Sequence, residues 1–165
     1  MASAGTKKSN RAHPADPVLR LSVQFGKGVD PARWPLSVPR MRRMVLAALT
    51  TRCASAELTI MIVGQAEGRR LNAAYRHKDY ATNVLTFDYT PPPAVLADLV
   101  ICLPVVNKEA RAQKKSLDHH AAHLLIHGSL HACGLDHLND QEAEQMEALE
   151  IEILRRFRIA NPYSV

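Results

Sequence analysis

Apolar and polar residues alternate through residues 18–25, VLRLSVQF, and that two-residue period predicts a strand. The period then lengthens. Ser37 can cap a helix running to about Thr51, with Met41, Met44, Val45, Ala48 and Leu49 along one face. Residues 57–63, ELTIMIV, predict a second strand, stopped by Gly64. Residues 65–75 predict a short helix with Leu71, Ala74 and Tyr75 inward. NVLTFDY (83–89) and ADLVICL (97–103) predict two more strands, separated by the stiff Pro91-Pro92-Pro93 run, which cannot sit inside a central strand. Asn107 opens the longest predicted helix, to about Cys133, where Gly134 stops it in a left-handed cap position. A last helix follows from about Asp140 to Phe157, with Met146, Leu149, Ile153 and Leu154 inward. The expected architecture is α+β: a single domain with a four-stranded mixed sheet, surrounding helices and the order βαβαββαα.

Composition narrows this. The 165 residues are 47% apolar and 22% charged, which suits one soluble globular domain and not a disordered chain. No apolar run approaches the roughly 20 residues of a membrane-spanning helix, and the basic, polar start does not read as a secretory signal. Residues 1–16 are small, polar and basic without periodicity, so a disordered tail is expected there, followed by one domain over 17–160. Cys53, Cys102 and Cys133 are odd in number and far apart, with no C-x-x-C pair, as suits a reducing cytoplasm. Charge is unevenly spread: residues 1–80 carry a net +9 and residues 81–165 a net −4. The basic half suits a polyanionic partner such as nucleic acid, although a basic tail and a solvated helix face would leave the same record.

Six of the eight histidines fall between positions 119 and 137. His127 and His131 are four apart on a predicted helix, a spacing that stacks both imidazoles on one face. Gly134 then ends the helix and lets the chain turn back to deliver His137, in the string HGSLHACGLDH. Three histidines with one position left open form the ligand set of a catalytic zinc, so one Zn2+ is expected at the C-terminal end of the long helix. Cys133 lies two residues past His131, pointing some 200° away, and is not counted as a ligand. His120 and His123 compete by spacing. No turn and third ligand follow them, so they are read as helix-surface or packing residues, like His119.

The spacing also matches the metzincin string H-E-x-x-H-x-x-G-x-x-H, except that the general-base Glu is replaced by Gly128. A glycine accepts no proton, which argues against proteolysis. Gly128 costs about 1 kcal/mol in mid-helix relative to Ala, so either a substrate or a packed neighbour must come close to the backbone there. A three-histidine zinc can also polarise a phosphoryl oxygen. Phosphodiester cleavage then needs cations, and Arg76 and Lys78 stand just before the third strand.

These residues together resemble the YbeY endoribonuclease family. HGSLHACGLDH is similar to its signature H-G-x-L-H-L-x-G-Y-D-H, departing at Ala132 and Leu135. LNAAYRHKDYATNVLTFD is similar to L-N-x-x-Y-R-x-K-D-x-P-T-D-V-L-S-F-P, departing at Ala81, Asn83, Thr86 and Asp88. Ala97-Asp98-Leu99 stands for the family's G-D-I strand, and Met146, Glu150 and Leu154 echo its last helix. The likeness spans roughly residues 18–157.

The resemblance implies a zinc-dependent, single-strand-specific endoribonuclease, acting in maturation of the 3′ end of 16S ribosomal RNA and in ribosome quality control. Its metal-binding histidines carry onto His127, His131 and His137, and its functional arginine onto Arg76. Lys78 is a candidate for substrate binding. Asp136 is the nearest carboxylate and is expected to orient a histidine ring from behind. Asn83 replaces a carboxylate the family usually has, so it receives no acid–base role. Tyr75, Tyr80 and Phe87 could stack unpaired bases, although core packing suits Tyr75 and Phe87 better. Partners would be ribosomal RNA, other single-stranded RNA and small-subunit ribosomal proteins. Two competing readings are a metallohydrolase of another substrate class and a non-catalytic zinc-containing ribosome-assembly factor.

Overall fold

The computed structural model describes residues 16–50 and 52–164, so the tail expected over residues 1–16 lies outside the described residues except for Asp16. Strands β1 (Val18–Phe25), β2 (Ser55–Val63), β3 (Val84–Thr90) and β4 (Ala94–Cys102) form one mixed sheet in the order β1-β2-β4-β3. β1, β2 and β4 run parallel, while β3 pairs antiparallel with β4 and closes one edge. The helices are α1 (Val38–Leu49), α2 (Gln65–Arg76), α3 (Leu103–Ala112), α4 (Leu117–Ala132) and α5 (Asp140–Arg156). The single α+β domain and its four-stranded mixed sheet are as expected.

Local chemistry explains most boundaries. Ser37 caps α1 by accepting from Arg40 N–H at 3.3 Å, and the five expected residues of α1 are all buried. Successive residues of β2 divide between two cores. Leu58, Ile60 and Ile62 enter the main one with Met41 and Met44 of α1 and Leu125 and Leu130 of α4. Val63 joins a smaller cluster with Leu85, Val100 and Cys102, against which Leu71 of α2 packs. Among the described residues no helix is long and apolar enough to cross a membrane.

Two expectations need correction. The single long helix from Asn107 to Cys133 is two helices, so the described residues form five α-helices in the order βαβαββααα. Lys114 takes the left-handed conformation (φ 54°), and Lys115 N–H bonds back to Ala110 O at 2.9 Å, closing α3. A lysine fills a position usually given to glycine, so the usual helix-stop signal is missing at the break. The inward face of α2 is also rotated. Gly68 and Asn72 are buried and Leu71 half-buried, while Ala74 and Tyr75 face solvent. The reason is a close approach: a Cβ on Gly68 would lie 3.0 Å from Cys102 Sγ.

Candidate metal centre

α4 is buried nearly all round because it lies between the sheet and the other helices, and this fixes the direction of its histidine face. Gly128 is what lets the helix come so near the sheet. A Cβ there would stand 2.8 Å from Leu99 Cδ2 and 3.3 Å from Val84 Cγ2. Of the two reasons for a mid-helix glycine, packing against a neighbouring element is the one observed. The helix ends in a Schellman turn: Gly134 (φ 86°) donates to His131 O at 3.0 Å and Leu135 to Leu130 O at 3.2 Å. The reversal carries His137 back over the helix end.

His127, His131 and His137 therefore converge. Their nitrogens lie within 4.8 Å of one another, and their ring centroids are 5.1 Å (127–131), 5.7 Å (127–137) and 5.0 Å (131–137) apart. Three imidazoles at this spacing fit one tetrahedral ion with a position left over. Burial favours the neutral imidazole of His131, lowering its pKa, and neighbouring His127 and His137 push the same way. A neutral imidazole is the form that binds metal.

The histidines form one side of a cleft of about 250 Å³. Arg76, the last residue of α2, lines it with Thr82, Asn83, Val84, Thr86 and Asp88. Lys78 is exposed and does not line it. Asn83 is committed elsewhere: its amide donates to Glu109 at 3.0 and 3.3 Å, and its carbonyl accepts from Val84 N–H at 2.7 Å. Asp136 accepts from His137 N–H at 2.8 Å and stands 3.6 Å from His137 Nδ1, beside the ligand nearest in sequence. Cys133 points away from the cleft region to meet Cys53, Sγ to Sγ at 3.0 Å, and burial raises its pKa. Of the two aromatics expected in the core, Phe87 is half-buried and Tyr75 is not. Tyr75 and Tyr80 are exposed, and Tyr75 packs edge-on against half-buried Phe87, centroids 4.7 Å apart.

Two residues at the site were given no role from the sequence. Among the described residues, Asp88 is the one carboxylate lining the cleft. Glu150 lies behind the histidines, fully buried on α5. Its Oε1 accepts from His127 Nδ1 at 2.5 Å, and its Oε2 from His123 Nε2 at 3.0 Å and from the Tyr163 hydroxyl. Burial alone would raise the Glu150 pKa. Hydrogen bonds from His123, His127 and Tyr163 outweigh it and hold the carboxyl at about 2. Position offered a clue, since Glu150 falls in the same helical stripe as Met146, Ile153 and Leu154, where a charge is out of place.

Comparison with known proteins agrees. The family model described as Endoribonuclease YbeY matches residues 36–158. A relative from Methylibium petroleiphilum, named Endoribonuclease YbeY, is 52% identical over 151 residues, covering 92% of this chain and 98% of that protein. A relative of the same name from a Polaromonas species is 55% identical over 148 residues, covering 88% and 94%. The solution structure of TM1509 from Thermotoga maritima shares the fold, with a TM-score of 0.57 at 19% identity over 88% of this chain and 97% of that one. With its histidine string and its cleft both inside the matched span, the chain belongs to the Endoribonuclease YbeY family.

Proposed function

We propose that this protein is a zinc-dependent endoribonuclease of single-stranded RNA, acting in the cytoplasm on the 3′ end of 16S ribosomal RNA and in ribosome quality control. Its partners on this reading are ribosomal RNA and proteins of the small subunit, and residues 17–160 form the metallohydrolase domain. One observation carries it: three imidazoles and a guanidinium line the same cleft, a constellation that suits phosphodiester cleavage.

His127, His131 and His137 would hold one Zn2+. Bound there, zinc would supply Lewis-acid polarisation of a phosphoryl oxygen. Arg76 reaches the cleft from the C-terminal end of α2, and its planar fork can grip a phosphate through two N–H donors and stabilise charge that develops on it. Asp136 holds the backbone of the His137 turn. Asn83 cannot move protons while both ends of its amide are engaged; it shapes the wall. Lys78, exposed just beyond α2, adds long-range attraction for the backbone that leads into the cleft. Peptide hydrolysis has no support in the helix, because the position next to His127 is a glycine pressed against Leu99.

The test is cleavage of an end-labelled single-stranded RNA, with and without chelator, with zinc restored, and with His131→Ala alongside. Cleavage lost in the chelated sample and in the variant, and restored to the wild type by zinc, is expected. Failure of the folded, zinc-loaded protein to cut RNA, free or presented on a ribosome, overturns the enzymatic reading in favour of the assembly factor. Cleavage of casein without cleavage of RNA redirects the site to another substrate class.

A further inference from the structure

We infer that Glu150 and Tyr163 are positioning residues for His127, so that the segment after α5 is coupled to the metal affinity of the cleft. This rests on the metal reading proposed above and adds to it the residues that set how tightly the ion is held.

A carboxylate only accepts, so the contact from Glu150 Oε1 requires His127 Nδ1 to carry a proton. That fixes the tautomer and leaves Nε2 with its lone pair. A histidine that could take either tautomer, or turn its ring, would spend part of its time unable to bind. The other two ligands lack such a clamp. Among the described residues no carboxylate hydrogen-bonds the His131 ring, and the one near His137 belongs to half-exposed Asp136. The buried carboxylate is thus directed at one ligand.

Glu150 is in turn held by its other oxygen. No lysine or arginine pairs with it among the described salt bridges, so its charge is met by His123, His127 and the Tyr163 hydroxyl. Tyr163 comes from beyond α5. Its ring packs edge-on against His123, centroids 5.3 Å apart, and its hydroxyl is also 3.1 Å from His123 Nε2. The segment is tied down independently. Lys115 Nζ donates to Pro162 O at 2.7 Å, and Tyr163 N–H to Asn161 Oδ1 at 2.8 Å. A chain of contacts thus leads from the α3–α4 turn, through residues 161–163 and Glu150, to His127. Its non-covalent links are hydrogen bonds with a direction, which general packing would not require.

The test measures zinc affinity by competition with a chelating dye, for the wild type, Glu150→Gln and Tyr163→Phe. The imidazole nitrogens of His127 are also followed by NMR in the metal-free protein. Orienting carboxylates behind metal-bound histidines are generally worth about 10–100-fold in affinity. Glu150→Gln is expected to weaken zinc by that factor. Tyr163→Phe keeps the ring packing and should weaken it less, with an unchanged melting temperature. The wild-type His127 spectrum should show the Nδ1-protonated tautomer, and Glu150→Gln should mix the two. If Glu150→Gln fails to fold, Tyr163→Phe and the wild-type tautomer decide the matter. A wild type that binds zinc, with both variants binding equally well, overturns this inference alone. An Nε2-protonated His127 in the wild type does the same. A wild type that takes up no zinc overturns the metal reading and this inference with it.

Discussion

The two sides of the cleft are built by opposite means. The α4 side is packed: Gly128 touches the sheet, a Schellman turn sets the return to His137, and a buried carboxylate grips His127. The opposite side is exposed. Arg76 sits at a helix end, followed by His77 in the left-handed conformation (φ 57°), and the chain through Tyr80 faces solvent. The difference follows the demand on each. A metal ion tolerates only small displacements of its ligands, whereas a guanidinium that meets a polymer arriving from solvent has to stay accessible. Packing and chemistry should therefore separate under mutation.

Arg76→Ala gives the largest expected effect. Loss of a charge-stabilising donor should lower the cleavage rate by about 100- to 1,000-fold. Arg76 is exposed, so the melting temperature should not move. A matching fall in both would erase the contrast between the two sides. Gly128→Ala tests the packed side. Its Cβ meets Leu99 and Val84 inside van der Waals distance, and alanine's better helix propensity offsets only part of that strain. A net loss of about 1–2 kcal/mol is expected in urea unfolding of the metal-free protein. Equal or greater stability would mean that α4 can lift off the sheet.

A third prediction concerns pH. His120 is buried and bonds at 3.2 Å to Glu109, the carboxylate that also accepts from Asn83. Burial lowers its pKa from the ordinary 6.5, His123 and Lys115 add to the effect, and Glu109 opposes it. The unfolded chain then takes up this proton at a higher pH than the folded one. Stability should fall as pH drops through 6.5, and level off below the folded pKa. His120→Phe should flatten that part of the melting curve measured from pH 7.5 to 5. An unchanged slope would assign the acid sensitivity to other histidines. Lys78→Ala is the smallest effect. It should leave the rate at saturating RNA unchanged, weaken binding slightly, and reduce the salt slope by about one. A large loss of rate would move Lys78 into the cleft.

The packed side was the more legible in the sequence, because its geometry is local. The spacing of His127, His131, Gly134 and His137 is helical arithmetic followed by one turn. Ser37, Gly64 and the alternation of β1 were legible for the same reason. What escaped depends on contacts between distant elements. Nothing in the Lys114-Lys115-Ser116 run advertises a left-handed residue, although Ser116 followed by Asp118 resembles a helix start and could have split the long helix. Tyr75 was placed inward by period alone, and the Gly68 contact with Cys102 turned the helix away. Glu150 could be noticed as a charge in an apolar stripe, but its partners came from α4 and from the chain's last residues. Asp88 entered the cleft because β3 is an edge strand with one face turned to α4, a placement set by the strand order.

The turn at Gly134 has a practical consequence. It brings His137 to His127 and His131 through bonds made within a few residues, so the ligands meet across a very short loop at little entropic cost. Arg76 and Asp88 reach the cleft only when α2 and the whole sheet have assembled around them. On the proposed reading, metal uptake needs α4, this turn and the Glu150 contact from α5, while RNA cleavage needs α2 and the β3 edge as well. A preparation scored by metal content alone would then count molecules with a displaced Arg76 as competent, so on that reading the active fraction is titrated by turnover.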